Sequence, residues 1–74
     1  MQTNEIKVIA EKIWNMLLYK EYMIIGDVIE SVNTKDFLVF LALGWLAKEN
    51  KIYFSDSNEK LKINIIQETP EIYY

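Results

Sequence analysis

The sequence predicts an α+β fold with three helices and a small antiparallel sheet, in the order α-β-α-α-β-β. Two observations carry this prediction. The run from Thr34 to Phe54 combines an apolar segment of helical length, a helix-ending Asn50 and an apolar alternation that is typical of a strand. Residues 4–19 carry one apolar stripe at helical spacing, which indicates an amphipathic helix. This order of elements is the winged-helix layout.

The first predicted helix covers residues 4–19. Its apolar stripe is expected to face the core, and Val8 and Tyr19 fall outside it. Trp14 lies within the stripe, so we interpret it as a core residue rather than a binding residue. The stripe consists of Ile6, Ile9, Ala10, Ile13, Trp14, Met16 and Leu17.

A short strand and a second helix are predicted next. Tyr22 to Ile24 is expected to pair with the later hairpin, and a helix follows from Gly26 to Val32. Ser31 to Thr34 then forms the turn into the third helix, and a turn of three to four residues between two helices is typical of the helix-turn-helix motif. The residues of the second helix expected to face inward are Val28, Ile29 and Val32.

The third helix is predicted to begin at Thr34, whose hydroxyl can accept from a free backbone N–H of the first turn, with Asp36 favouring the positive end of the helix dipole. Every residue from Phe37 to Ala47 is apolar or glycine. That run is too short for a membrane span, which needs roughly 20 residues. A helix apolar on all sides is normally buried on more than one side.

The hairpin, or wing, is predicted from Ile52 onward. Ser55 to Glu59 is expected to form its polar turn and Lys60 to Ile66 its second strand. By alternation, Leu61, Ile63 and Ile65 point inward and Lys60, Lys62 and Asn64 point outward. Residues 1–66 therefore form one domain. Residues 67–74 are expected to be a flexible tail, because Pro70 argues against a longer strand.

Two motifs resemble a known family. The first is the spacing Leu43-x2-Leu46-x5-Ile52, and the second is the run Ala42 to Glu49, ALGWLAKE, followed by Lys51 and Ile52. Together with Ile13-Trp14-Asn15-x-Leu17 they are similar to a small, largely uncharacterised bacterial winged helix-turn-helix family that carries A-L-G-W-L-A-[RK]-E at the end of its third helix. The resemblance covers about residues 4–66. It implies the fold and says almost nothing of an activity.

Composition excludes most catalytic chemistry. The chain of 74 residues contains no cysteine and no histidine, and all eight basic residues are lysine. The usual nucleophile–base pairs and the imidazole or thiolate metal ligands are therefore missing. We expect no enzyme activity, no cofactor, no metal and no small-molecule ligand. A cytoplasmic location is expected, because neither a signal peptide nor a membrane segment is predicted.

The winged-helix fold suggests DNA binding as a second hypothesis, but the basic residues and the net charge of the chain support it poorly. Arginine, the usual bidentate reader of guanine, is absent, and the formal net charge is −3. Lysines at the ends of the third helix and on the wing are candidate phosphate contacts, although the solvated face of a hairpin would carry the same residues. These candidates are Lys35, Lys48, Lys51, Lys60 and Lys62.

A protein–protein surface on the third helix is the favoured hypothesis. At about 100° per residue, one arc of this helix is expected to face the core and the opposite arc to face solvent. The predicted core arc holds Val39, Phe40, Leu43, Leu46 and Ala47. The opposite arc holds Phe37, Leu38, Leu41, Gly44 and Trp45.

This second arc is apolar where a recognition helix needs polar side chains. Phe37, Leu38, Leu41 and Trp45 are therefore candidate interface residues, with a second copy of the chain or another protein as the partner. The alternative is that the helical phase is shifted by one position and that Trp45 is covered within its own chain.

Overall fold

The structure is a computed structural model and describes residues 3–66. The predicted order of elements is confirmed, with a three-stranded antiparallel sheet in the spatial order β1-β3-β2. The predicted tail, 67–74, lies outside the described residues. None of the described helices is long and apolar enough to cross a membrane. The elements are α1 Thr3–Lys20, β1 Tyr22–Ile24, α2 Ile25–Val32, α3 Asp36–Lys48, β2 Ile52–Ser57 and β3 Lys60–Ile65.

α1 uses its apolar stripe as predicted. Ala10, Ile13 and Leu17 are buried, and the remaining members of the stripe pack at the edge of the core. Val8 and Tyr19 are exposed, as expected from their positions outside the stripe. α1 packs mainly against α3, so the pair forms the principal helix–helix contact of the domain.

The turn between α2 and α3 differs from the prediction in its details. α2 ends at Val32, and its C-cap Asn33 has a left-handed φ of 53° and donates its N–H to the Ile29 carbonyl. α3 begins at Asp36, and its N-cap is Lys35 rather than Thr34, with no side-chain capping bond. The prediction that Thr34 caps the helix is therefore wrong, because the extended backbone that precedes the first helical turn falls one residue later.

α3 ends where the sequence predicts. Asn50 has a φ of 59°, in the left-handed region that asparagine tolerates better than most residues. Its N–H bonds the Ala47 carbonyl at 3.0 Å, and the Lys51 N–H bonds the Leu46 carbonyl at 3.0 Å. This pair of bonds is the Schellman arrangement. It satisfies the last helical carbonyls and directs the chain into β2.

β3 is the central strand and ties the sheet to the helices. Ile63 pairs with Met23 on one side and with Phe54 on the other. Its side chain is fully buried and belongs to the same core cluster as residues of all three helices. A β-branched residue at the centre of a sheet packs well on the pleated surface, which makes Ile63 the point where sheet and helices meet.

The wing turn is shorter than predicted. Pairing continues to Ser57 and Lys60, so the loop is Asn58–Glu59 instead of Ser55–Glu59. Both loop residues have positive φ, 52° and 65°, as in a type I′ turn whose twist suits a two-residue hairpin. Polar composition alone suggested a longer turn, but Ser55 and Asp56 lie within β2.

The outer half of the hairpin extends past the helices. Phe54 and Leu61 lie on the side of the sheet that also carries Ile63, yet they remain 42% and 36% exposed. Leu61 lies on the side of the sheet that the alternation predicted. Alternation carries no information on whether a helix covers that part of the face.

We expect the substitution Ile63→Ala to lower the free energy of unfolding by about 3 kcal/mol, because it removes buried methyl groups and leaves a cavity in the core. Urea unfolding followed by circular dichroism measures this change. Val8→Ala is the matched control, since Val8 is 62% exposed and its truncation is expected to stay within about 0.5 kcal/mol. Equal losses in the two variants would contradict the central place of Ile63.

We expect Glu59→Gly to stabilise the domain by about 1 kcal/mol. The substitution creates Asn-Gly, the preferred type I′ pair, and removes the cost of holding a side chain at positive φ. Glu59→Ala is the control, because it removes the same carboxylate and keeps the Cβ. Equal changes in the free energy of unfolding would contradict this prediction, because they would show that the loss of the carboxylate, and not the backbone conformation at residue 59, changes the stability.

Candidate protein interface on α3

The solvent-facing side of α3 is apolar. We define the α3 surface as the exposed residues Phe37, Phe40, Leu41, Gly44 and Trp45. The two phenylalanines are each 51% exposed, Leu41 is 43% exposed and Trp45 is 37% exposed. The charged residues within α3 are Asp36 and Lys48, one at each end. The middle of this helix therefore presents no charge to solvent.

The buried side of α3 is rotated relative to the prediction. Leu38 is 6% exposed and cannot contribute to a surface, so its prediction as an interface residue is wrong. Phe40 was expected in the core and is instead exposed. The residues of α3 that are buried are Leu38, Val39, Ala42, Leu43 and Leu46.

The side of α3 that is buried could not be predicted from the sequence, because the helix is apolar on all sides. Leu38, Ala42 and Leu46 follow one another at intervals of four residues, a row on one side of a helix. Ala42 is fully buried although it is small, which fits a site of close helix–helix approach rather than a site selected for hydrophobic volume. Because every position in the run is apolar, the sequence has no polar residue to mark which side faces water.

Three predicted interface residues do lie at the surface. Phe37, Leu41 and Trp45 are exposed, which agrees with the expectation for their positions; their role in binding stays a prediction. Gly44 lies among them, and a Cβ placed there would meet no atom within 4 Å. The backbone of α3 is therefore open to a close approach at Gly44.

The five candidate phosphate contacts do not form one basic surface. Lys35 directly precedes α3 and Lys48 is its last residue, so the 13-residue helix places the two about 20 Å apart. Lys60 and Lys62 lie instead on the outer face of β3. Within the described residues, Lys51 is 3.9 Å from the carboxylate of Glu49, a contact between half-exposed side chains.

Three of these lysines lie over aromatic rings. The Nζ–centroid distances are 5.8 Å for Lys35 over Phe37, 5.5 Å for Lys51 over Trp14 and 4.1 Å for Lys62 over Tyr22. A cation within about 6 Å of a ring centroid is attracted by the ring quadrupole. These lysines are therefore engaged with their own chain as well as with solvent.

A feature on the outer face of the sheet was missed by sequence reasoning. Asn64 was predicted to point outward, and it does pair with Tyr22 and Tyr53 in one row across the sheet. It is nevertheless only 9% exposed, whereas both tyrosines are 52% exposed. An outward residue on a central strand is shielded by its neighbours on both sides, and only the strand register reveals those neighbours.

The comparisons with known proteins agree with this architecture. Residues 1–65 match the family described as winged helix-turn-helix domain (DUF2582). The chain belongs to this family. The solution NMR structure of protein BT2368 from Bacteroides thetaiotaomicron is similar, with a TM-score of 0.75, 24% sequence identity and coverage of 100% of both chains. Among curated proteins, no sequence matches this chain.

The NMR structure supports the fold alone, because its sequence identity to this chain is low. The family match supports the resemblance drawn from the sequence motifs. Neither comparison carries a statement on dimerisation or DNA binding.

We expect Leu38→Glu to unfold the domain and Leu41→Glu to leave it folded. A glutamate at the buried position loses its hydration without gaining a partner, at a cost of several kcal/mol, comparable with the whole stability of a small domain. At position 41 the carboxylate remains in water, so the change is expected to stay within about 0.5 kcal/mol. Thermal unfolding by circular dichroism distinguishes the two; two equally folded variants would contradict the observed helix phase.

Proposed function

We propose that this winged-helix domain is a non-enzymatic protein–protein interaction module that forms a homodimer through the α3 surface. The observation that carries the proposal is the exposure of Phe37, Phe40, Leu41 and Trp45 on one side of a single helix. The largest contiguous apolar patch on a monomer is often functional, and such patches tend to mark partner sites. Tryptophan is also enriched among residues that dominate the energy of interfaces.

A second copy of the chain is the partner that this surface fits best. In an isologous dimer the same patch must complement itself. Gly44 supports this choice, because a Cβ placed there would meet no atom within 4 Å, which leaves room among the bulky side chains for a side chain of the other protomer. When two copies of α3 pack antiparallel about a two-fold axis, Lys48 of each lies near Asp36 of the other. Each end of the helix pair then brings together one positive and one negative side chain.

The patch is small for a protein interface, which favours a weak dimer. If a whole large side chain exposes roughly 200 Å², the four exposed side chains present about 350 Å² in total. A standard interface buries about 800 Å² per partner. The α3 surface is thus the core of an interface and needs a surrounding rim. We expect a dissociation constant in the micromolar range.

Duplex DNA binding by a transcriptional regulator is the competing hypothesis. In a helix-turn-helix domain the recognition helix presents polar side chains to base edges. The corresponding side of α3 offers two phenylalanines and Leu41, which cannot donate hydrogen bonds to bases or phosphates, and one indole N–H, that of Trp45. Lys60 and Lys62, the candidate phosphate contacts of the wing, lie on β3 and not on this helix. These features favour the interaction module.

Sedimentation equilibrium over a wide concentration range tests the proposal. We expect the wild-type protein to be a dimer at high concentration and the variant Leu41→Glu to be monomeric, because a charge would have to be buried at the centre of the interface. The loss should exceed about tenfold in the dimerisation constant. Circular dichroism verifies that the variant is folded.

Val8→Glu is the matched control. Val8 is an exposed apolar residue on α1, outside the α3 surface, so its substitution should leave dimerisation unchanged. A wild-type protein that remains monomeric at millimolar concentration would refute self-association. If salt-sensitive binding of duplex DNA then perturbs the NMR signals of α3 and the wing, the competing hypothesis replaces the proposal.

A further inference from the structure

The outer face of the sheet contains a recess that is separate from the α3 surface. Its volume is about 270 Å³, and it is lined by Glu21, Tyr22, Tyr53, Asn64 and Ile65. The two tyrosines belong to the two outer strands, so their backbones are about 9.6 Å apart, twice the strand spacing. The recess is smaller than most drug-sized sites. It can accept a single side chain or a group of similar size.

Asn64 lines the recess and has an acceptor that is not engaged within the described residues. Its Nδ2 donates to the Ser55 Oγ at 3.1 Å and to the carbonyls of Tyr53 and Lys62 at 3.4 Å each, so its donors are engaged. Its Oδ1 accepts no hydrogen bond from the described residues. Since that part of the chain leaves no buried side-chain oxygen without a partner, Oδ1 must contact solvent. It is therefore free to accept from a ligand.

The other lining groups favour a cation. Glu21 is the charged residue of the lining and is acidic, and the face of a tyrosine ring carries the negative side of the aromatic quadrupole. The Tyr22 ring does attract a cation, because the Lys62 ammonium lies 4.1 Å from its centroid and occupies one side of that ring. Lys62 is not among the residues that line the recess. Carboxylate, amide oxygen and ring faces together suit a group that is positively charged and rich in donors.

We propose that this recess binds the guanidinium group of an arginine side chain from a partner protein. A guanidinium is planar, stacks on aromatic rings and carries five donors, which fits two tyrosines and two separate acceptor groups better than an ammonium does. The chain has no arginine of its own. The occupant therefore comes from another molecule, and a second copy of this chain does not supply it.

Titration followed by two-dimensional NMR of the intact protein tests this inference. The probe is N-acetyl-arginine-amide, and we expect shifts of Tyr22, Tyr53 and the Asn64 side-chain amide with a dissociation constant on the order of 1 mM. The corresponding citrulline amide has nearly the same shape without the charge and should bind at least about tenfold more weakly. The lysine amide should also bind more weakly than the arginine amide.

Substitutions locate the site. Tyr53→Leu and Glu21→Gln should each weaken binding of the arginine probe at least about threefold, through loss of a ring face and of a charge. Tyr19→Leu is the matched control and should have no effect, because Tyr19 lies on α1 and is 89% exposed. The amide spectra show whether each variant is folded.

Three outcomes would overturn the inference. They are equal binding of the citrulline and arginine probes, an equal effect of Tyr19→Leu, and an absence of shifts at the recess. Tighter binding of a short oligothymidylate at the same residues would instead assign the face to single-stranded nucleic acid, which also stacks on aromatic side chains. All these outcomes are independent of dimerisation through α3, since the recess shares no residue with the α3 surface.

Discussion

The packing of α3 against α1 is the contact on which the rest of the molecule depends. α3 is apolar along its whole length, and the domain has one core in which to bury it. Burial of Leu38, Ala42 and Leu46 on one side leaves two phenylalanines and Trp45 on the other. The exposed surface is thus a geometric consequence of a helix that is apolar all round in a domain too small to surround it.

The end of α3 connects this helix to the sheet. The left-handed Asn50 closes the helix and turns the chain into β2, which pairs with the central strand β3. β3 has two different sides. Ile63 joins the helices on one side, and Asn64 lies between two tyrosines on the other. One strand therefore positions both the core and the recess on the outer face.

The two candidate surfaces differ in chemistry. The α3 surface is apolar and has an open glycine position, so shape and desolvation dominate any contact that it makes. The recess offers a carboxylate, an amide oxygen and aromatic rings, so charge and hydrogen bonding dominate there. Neither surface has the polar, basic character that reading a duplex requires. We therefore propose protein partners for both surfaces of a fold that is associated with DNA binding, since function follows from the site and not from the fold.

The sequence by itself determined the elements and their order. Apolar periodicity marked α1, Asn50 marked the end of α3, and alternation marked the inward residues of the hairpin, because each of these signals is local. The predicted length of the wing turn was wrong, since polar residues occur in strands as well as turns, and the predicted cap of α3 was wrong, since the N-cap is Lys35 and not Thr34. The tertiary structure alone decided which side of α3 is buried and which neighbours surround Asn64. The sequence of a uniformly apolar helix does not indicate which of its sides is buried, so packing against the other elements decides it. The neighbours of Asn64 depend on strand register, which brings together residues that are far apart in the chain.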